Sequence, residues 1–140
     1  MRSDESGASN DLVHVDLTSE ERKVLRSGLL MWGGPATMTD EMARTLWFPS
    51  AVEFDADRDR LMSGIEEGVA LTSLDWHRAL AATELVFISW VLGAGGDWYI
   101  VSGLDEHVTL DHIRSIQAKL AWVRPWPEPY ARLGHTNRRD

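Results

Sequence analysis

One stretch of the sequence, TSLDWHRALAATELVFISWVL from Thr72 to Leu92, limits the fold more than any other. At 100° per residue, apolar side chains occupy most of its circumference and leave a narrow polar strip. A helix that is apolar on most sides has to be covered by other elements. The pattern therefore predicts a central helix near residues 73–92, capped by Thr72 and ended by Gly93. Its broad apolar face holds Trp76, Leu80, Phe87, Ile88 and Val91.

Composition limits where such a helix can be used. The 140 residues suffice for one domain, and the absence of cysteine excludes disulfides and thiolate metal sites. Ala79 to Gly96 approaches the length of a membrane span, but Glu84 interrupts it, so a buried helix is the better interpretation. The polar N-terminus has no apolar segment typical of a signal peptide. These features predict a cytoplasmic protein with no membrane association.

The capping residues Thr18, Thr39, Ser50 and Asp105, together with glycines and prolines, predict four further helices, at about residues 19–32, 40–47, 51–67 and 106–123. Gly28 lies in the middle of the apolar face of the first. Because glycine costs about 1 kcal/mol in a helix, we expect a packing reason for it. Residues 97–101 are ambiguous and are interpreted as loop. The sum is an all-α fold, a single-domain bundle of about five helices with no convincing pair of strands. The third helix is expected to turn inward Val52, Phe54, Leu61, Met62 and Ile65.

The two ends of the chain differ in composition from its middle. Residues 1–16 hold one basic and four acidic residues and are expected to form a flexible or extended acidic arm, with Leu12 to Val15 extended against the body. Residues 17–123, with nine basic and sixteen acidic residues, form the predicted helical domain. Residues 124–140 hold four basic and two acidic residues and alternate prolines, which favour an extended tail.

Glu84 lies in the centre of the apolar face and is the only charged residue between Arg78 and Asp97. Burial of an unpaired carboxylate costs several kcal/mol, so we expect Glu84 to be paired, hydrogen-bonded or protonated. A functional interpretation makes it a general acid or base, or an anchor for a cationic ligand. His77, about 10 Å along the axis, is too far for direct contact with Glu84, but a ligand could span the two, and together they form the candidate buried polar site. The alternative for His77 is a satisfied core histidine near the helix start. A structural interpretation is an internal ion pair with Arg26, Arg44, Arg114 or Lys119.

Other motifs carry little chemistry. His107 and Asp111 have the i, i+4 spacing of two metal ligands, but a third ligand is missing. The glycines at residues 93–96 follow a predicted helix end and lack the lysine of a phosphate loop. No GxSxG motif occurs in the sequence. We therefore predict no catalytic residue, metal or cofactor, and an enzymatic role is the less favoured one.

Residues 39–64 have the outline of a helix-turn-helix, a short capped helix followed by a break and a longer helix. This is a resemblance of shape alone and identifies no family. The second helix holds six acidic residues against Arg58 and Arg60, a local charge of −4. Since phosphate contacts supply most non-specific affinity, we expect no nucleic acid partner.

Some of the seven tryptophans predict a contact surface. Trp32, Trp76 and Trp90 fall on or near apolar faces and are expected in the core. Tryptophan and tyrosine outside the core are typical of binding surfaces, since they dominate interface hot spots. The candidate partner-binding surface combines aromatic and acidic residues: Trp122, Trp126, Tyr130, Asp55, Asp57 and Asp59. Alternatively, the tail folds back so that its aromatic side chains cover one another.

The net charge of −8 favours a partner with a basic surface. The leading hypothesis is a small acidic helical protein that binds another protein as inhibitor, adaptor or regulator. A second is a small-molecule site or enzyme around Glu84 and His77, which needs a cavity of a few hundred Å³ there. A third is a degenerate helix-turn-helix regulatory protein. The sequence also leaves a homo-oligomer open.

Overall fold

The computed structural model describes residues 11–127. The predictions for residues 1–10 and 128–140 lie outside this range. Within it the chain forms six α-helices, one short 3-10 helix (Gly95–Asp97) and one small sheet, and the all-α prediction is confirmed. The order is β1 (Leu12–Val13), α1 (Ser19–Met31), α2 (Asp40–Thr45), α3 (Ala51–Glu67), β2 (Leu71–Thr72), α4 (Ser73–Ile88), α5 (Trp98–Ser102) and α6 (Glu106–Leu120).

Five of the helices begin at the predicted capping residues. In each, the side-chain oxygen of the cap accepts a hydrogen bond from the backbone N–H three residues later, which satisfies a donor that the helix leaves unpaired. The helix that follows Thr18 has the complete capping box, because the Glu21 carboxylate accepts in return from the Thr18 backbone N–H. The five caps are Thr18, Thr39, Ser50, Thr72 and Asp105.

The core is organised by the crossing of α1 and α4. A Cβ atom added at Gly28 would lie 2.2 Å from Thr83 Oγ1, so the two helices approach as closely as glycine permits. The packing reason expected for Gly28 is confirmed. The first helix also packs on α3, α5 and α6, and it shares the central position with α4. Both are closed in by apolar side chains, among them Val24, Leu25 and Val86, which have no exposed surface.

The central helix ends earlier than predicted, at Ile88 rather than Leu92. The backbone of Ser89 is extended, and the chain folds back so that the Ala94 N–H donates to the Val86 carbonyl at 2.8 Å. Gly93 lies in this fold. A Cβ there would be 2.6 Å from the Val86 Cα, so the glycine permits close backbone approach rather than capping the helix.

This early end leaves several apolar side chains outside the core. Trp32 and Trp76 are buried as predicted, but Trp90 is exposed, so its placement in the core was wrong. Ile88 and Val91 are exposed for the same reason. The 16 residues of α4 also fall short of the roughly 20 that a membrane span requires. Among the helices of residues 11–127, none has the length and apolar character needed to cross a bilayer.

A small antiparallel sheet ties the N-terminal segment to the helices. Leu12 is opposite Thr72, and Val13 is opposite Leu71. The Trp76 indole N–H donates to the Val13 carbonyl at 2.8 Å. The N-terminal segment is therefore extended against the helices, as expected. It also forms a strand pair that the periodicity of the sequence did not predict.

Residues 97–101, interpreted as loop, lie mostly in the short helix α5. The helix forms because its first residue, Trp98, is buried and donates its indole N–H to the Thr109 hydroxyl at 2.7 Å. Gly103, with a φ of 77°, ends it.

In α3, the prediction that Val52 points into the core is wrong. Val52 is 74% exposed, because it lies about 200° around the helix from the buried Phe54.

Candidate functional site

A pocket of about 330 Å³ lies between α4 and α6. Residues at helical spacing on each of these helices supply two of its walls, because side chains three or four positions apart share one face. The segment after α2 and the segment after α6 complete it. The lining residues are Trp47, His77, Leu80, Ala81, Glu84, Gln117, Leu120, Ala121, Trp126 and Pro127. The two residues of the candidate polar site, Glu84 and His77, are thus brought to the same pocket.

Glu84 is half-buried in this pocket, and its hydrogen-bond donor is a neutral amide. Gln117 Nε2 donates to Glu84 Oε2 at 2.6 Å, and Gln117 Oε1 accepts from Arg114 Nη1 at 2.9 Å. The arginine therefore orients the amide instead of pairing with the carboxylate. Two other cations considered for Glu84 pair elsewhere, Arg26 with Glu66 and Lys119 with Glu21. Within residues 11–127 no cationic side chain forms an ion pair with Glu84.

His77 is half-buried and hydrogen-bonded to the segment after α6. Its Nε2 lies 2.8 Å from the Val123 carbonyl oxygen. Because a carbonyl only accepts, Nε2 carries the proton in this contact, and in the neutral ring Nδ1 is left as an acceptor. His77 and Glu84 do not bond to each other. Anything that contacts both must therefore occupy the pocket between them.

Trp47 forms one side of the pocket in an unusual backbone conformation. Its φ is 65°, a left-handed value that costs a residue with a side chain about 1 kcal/mol or more. The Trp47 carbonyl accepts from Arg78 through both Nε, at 2.9 Å, and Nη2. The Arg78 guanidinium also lies over the Phe48 ring, 4.2 Å from its centroid. Strained residues held by their surroundings in this way are concentrated at binding sites.

The arginine that holds Trp47 is itself held by a buried acid. Asp75 Oδ1 lies 3.4 Å from Arg78 Nη1, and Asp75 Oδ2 accepts from Arg60 Nη1 at 3.0 Å. The hydrogen bond to Asp75 raises the pKa of Arg60 above its ordinary value, against the opposing effect of partial burial. This network holds Arg78, and through it the backbone of Trp47, in place at the side of the pocket. Sequence reasoning missed Trp47, although the aromatic pair Trp47-Phe48 in a break between two helices was a signal.

Trp126 forms another part of the pocket and already has a cation beside it. The Arg124 guanidinium carbon lies 4.4 Å from the centroid of the Trp126 ring. This is a cation–π contact, in which the negative face of the ring attracts the positive charge. Arg124 is exposed and does not line the pocket.

A second carboxylate, Glu21, is more deeply buried than Glu84, and both of its oxygens accept hydrogen bonds. It accepts from the Thr18 backbone N–H at 2.9 Å, from Lys119 Nζ at 2.7 Å and from the Ser115 hydroxyl. Burial alone would raise the pKa of Glu21, but the hydrogen bonds from Lys119, Ser115 and Thr18 together outweigh it and hold the pKa below its usual value. The sequence showed Glu21 as a capping residue only. Its contacts with α6 make it a structural acid.

The structure distributes the predicted partner surface over several places. Trp122 is 84% exposed and lines a separate depression with the N-terminal segment, whereas Trp126 is half-buried in the pocket of Glu84. Asp55 and Asp59 are exposed on α3, and Asp57 pairs with Arg60 at 3.4 Å. Tyr130 lies outside the described residues.

His107 and Asp111 are both exposed on α6. In the part of the chain that the structure describes, no three His, Asp or Glu side chains group together as metal ligands would.

No family model, curated protein or solved structure matches this chain. Any assignment of function therefore depends on the chemistry of the pocket. A carboxylate without a cationic partner among residues 11–127, two indole rings and apolar side chains line one pocket, and such groups can attract a positive charge and contact an apolar stem.

Proposed function

We propose that this chain is a protein-binding regulator or adaptor whose pocket receives a lysine or arginine side chain of a basic partner. The observation that carries the proposal is the state of Glu84. Its carboxylate is half-buried in an apolar pocket, hydrogen-bonded by an amide, and paired with no cation of residues 11–127. A buried carboxylate gains most from an opposite charge that arrives with its own hydrogen-bond donors.

The rest of the pocket matches the stem of such a side chain. Leu80, Ala81 and Leu120 supply apolar contacts for methylene groups, which lysine and arginine bury readily. Trp47 and Trp126 supply indole rings, each of which contributes about 0.5–2 kcal/mol with a cation, depending on desolvation. A volume of about 330 Å³ is at the lower end of ligand pockets, and it suits one side chain or a small amine.

The charge of the chain supports a protein as the source of the cation. The net charge of −8 attracts basic surfaces over a distance and accelerates encounter with them. Trp122 adds an exposed residue of the type that dominates interface hot spots. The charge of −4 on α3 repels the phosphate groups of nucleic acid, which argues against a nucleic acid partner. The alternative is a free small organic cation in the same pocket, which the small volume also favours.

Titration of the full chain with single capped amino acids tests the site. The probes are N-acetyl-arginine amide and N-acetyl-lysine amide, and the neutral control is N-acetyl-norleucine amide, which keeps the lysine stem without its charge. We expect the cations to shift the NMR signals of the Gln117 amide and of the Trp47 and Trp126 indoles. The dissociation constant should be on the order of 1 mM, as a ligand of this size allows.

Glu84→Gln separates charge from shape, because glutamine still accepts the hydrogen bond from Gln117. It should weaken cation binding at least tenfold. Glu67→Gln, an exposed acid at the end of α3, makes the same change in net charge and should leave binding unchanged. Equal binding of norleucine amide, or unchanged cation binding by Glu84→Gln, would show that the pocket does not recognise a cation.

Two further probes distinguish the sources of the cation. Capped Gly-Arg-Gly and Gly-Lys-Gly present the side chain from a peptide backbone, and n-butylamine presents it free. If the partner is a protein, the tripeptides bind at least as tightly as the single amino acids, and added salt weakens them. Binding of butylamine with exclusion of both tripeptides would assign the pocket to a free small molecule.

A further inference from the structure

The chain between the end of α4 and the start of α6 exposes a set of large apolar side chains. The last residue of α4, the loop after it and the outer side of α5 contribute to this set. We call it the apolar face, and it consists of Ile88, Trp90, Val91, Leu92, Tyr99 and Ile100, all more than half exposed. Val91 at 90%, Ile100 at 80% and Trp90 at 74% are the most exposed of them.

The backbone under this face is held in place by hydrogen bonds. The Gly95 N–H donates to the Ser89 carbonyl at 3.2 Å, and the Leu92 N–H donates to Ser89 Oγ at 2.8 Å. The Trp90 ring lies against Gly95, where a Cβ would be 2.9 Å from the indole Cδ1. The loop is therefore folded into a defined shape that presents its apolar side chains outward.

The short helix α5 is anchored on its other side. Trp98 and Ser102, four residues apart and on one face, are buried, and this turns Tyr99 and Ile100 towards solvent. Exposure of this part of the apolar face follows from the anchoring of the helix.

We propose that the apolar face is the interface of a homodimer in which the same face of two copies packs together. At these exposures the six residues present on the order of 800 Å², which is about the area that each partner of a standard interface contributes. A twofold axis brings a face against its own copy, so one patch supplies both sides.

The distribution of charge favours a second copy as the occupant. Residues 85–96 contain no charged side chain, and only Asp97 is charged between Glu84 and Asp105. Two copies that each carry −8 repel one another wherever acids face acids, and the apolar face is where this repulsion is weakest. A basic partner finds no carboxylate within residues 85–96 to pair with.

Residues 1–10 and 128–140 include three large apolar side chains, Met1, Tyr130 and Leu133, against six on the face. An equal apolar area is available on a second copy of the chain.

Sedimentation equilibrium of the full chain, from about 1 to about 200 µM, tests the proposal. We expect a monomer–dimer equilibrium with a dissociation constant on the order of micromolar. Val91→Glu and Ile100→Glu each place two like charges at the interface and should weaken dimerisation at least tenfold. Val52→Glu, at the exposed apolar residue of α3, makes the same chemical change elsewhere and should leave the dimer intact.

Salt separates this interface from partner binding in the pocket. Added sodium chloride screens repulsion between the two acidic copies and leaves apolar contact unscreened, so the dimer should become tighter. A chain that is monomeric at about 200 µM overturns the proposal. So does a dimer that survives both Val91→Glu and Ile100→Glu, or one that Val52→Glu dissociates equally. Circular dichroism confirms that each variant keeps its helices, and none of these results depends on Glu84.

Discussion

Replacement of Gly28 by alanine should destabilise the protein by about 2 kcal/mol or more, although alanine is the better helix former by about 1 kcal/mol. The added Cβ would lie 2.2, 2.6 and 2.7 Å from Oγ1, Cβ and Cγ2 of Thr83. Because Thr83 Cβ itself is in the way, no side-chain rotation relieves the overlap. The helices α1 and α4 have to separate, and this opens gaps along the core between them.

Urea unfolding followed by circular dichroism measures this loss. Gly34→Ala is the matched control, since a Cβ at Gly34 meets no atom within 4 Å, and its stability should stay near that of the unmodified chain. In the double variant Gly28→Ala/Thr83→Gly the side chain that the new Cβ would overlap is removed, so part of the loss should return. If Gly28→Ala were as stable as Gly34→Ala, the crossing would be looser than the structure shows.

The helix starts were predictable because capping is local. Thr18 and Ser50 each bond to a backbone N–H only three residues away, so the signal lies in a few consecutive letters. The end of α4 was not predictable in this way. It depends on the chain folding back until the Ala94 N–H reaches the Val86 carbonyl, and the apolar letters from Trp90 to Leu92 still match helical periodicity.

Elements that depend on distant partners were missed. The helix α5 is only five residues long and is held by the bond from Trp98 to Thr109, eleven residues away. The strand β1 needs β2, almost sixty residues further along the chain, to exist at all. Neither has a recognisable pattern of its own, since both are shorter than the window of residues over which a period can be detected.

The candidate site was predictable as far as it lies on one helix. Glu84 and His77 stand out by their position on an apolar face of α4, and both line the pocket. Trp47 and Gln117 come from other elements, so their approach depends on how the helices pack. The hydrogen-bond donor to Glu84 was also missed. Charge alone pointed to an arginine or lysine, whereas Arg114 reaches the carboxylate only through the amide of Gln117.

Glu21→Gln should cost about 2 kcal/mol of unfolding free energy at neutral pH, the typical value of hydrogen bonds to a buried charge. Glutamine keeps the capping box with Thr18, because its side-chain oxygen still accepts. The amide oxygen can still accept from Lys119, but the ion pair is lost, and the NH₂ group that takes the place of Oε2 cannot accept from the Ser115 hydroxyl. Since Glu21 is 2% exposed, water cannot replace the lost partner.

The direction in which this loss changes with pH follows from the pKa of Glu21. The pKa of Glu21 is lowered in the folded chain from 4.5, so the unfolded chain binds the proton more tightly. The stabilisation is therefore complete above 4.5 and is lost as the pH falls through the folded pKa. Urea unfolding of the unmodified chain and of Glu21→Gln should be measured between about pH 7 and pH 3. The difference between their free energies of unfolding should be constant near pH 7 and should decrease towards pH 3.

Glu20→Gln is the matched control for this pH series. Glu20 precedes Glu21 in the first turn of α1 and carries the same charge, but it is exposed. Its interaction with the helix dipole is worth about 0.3–1 kcal/mol, so its loss should be smaller than that of Glu21→Gln. If the two variants lose the same unfolding free energy, Glu21 stabilises the chain only through its interaction with the helix dipole. A Glu21→Gln difference that stays constant down to pH 3 would show that the carboxylate is not held ionised by Lys119 and Ser115.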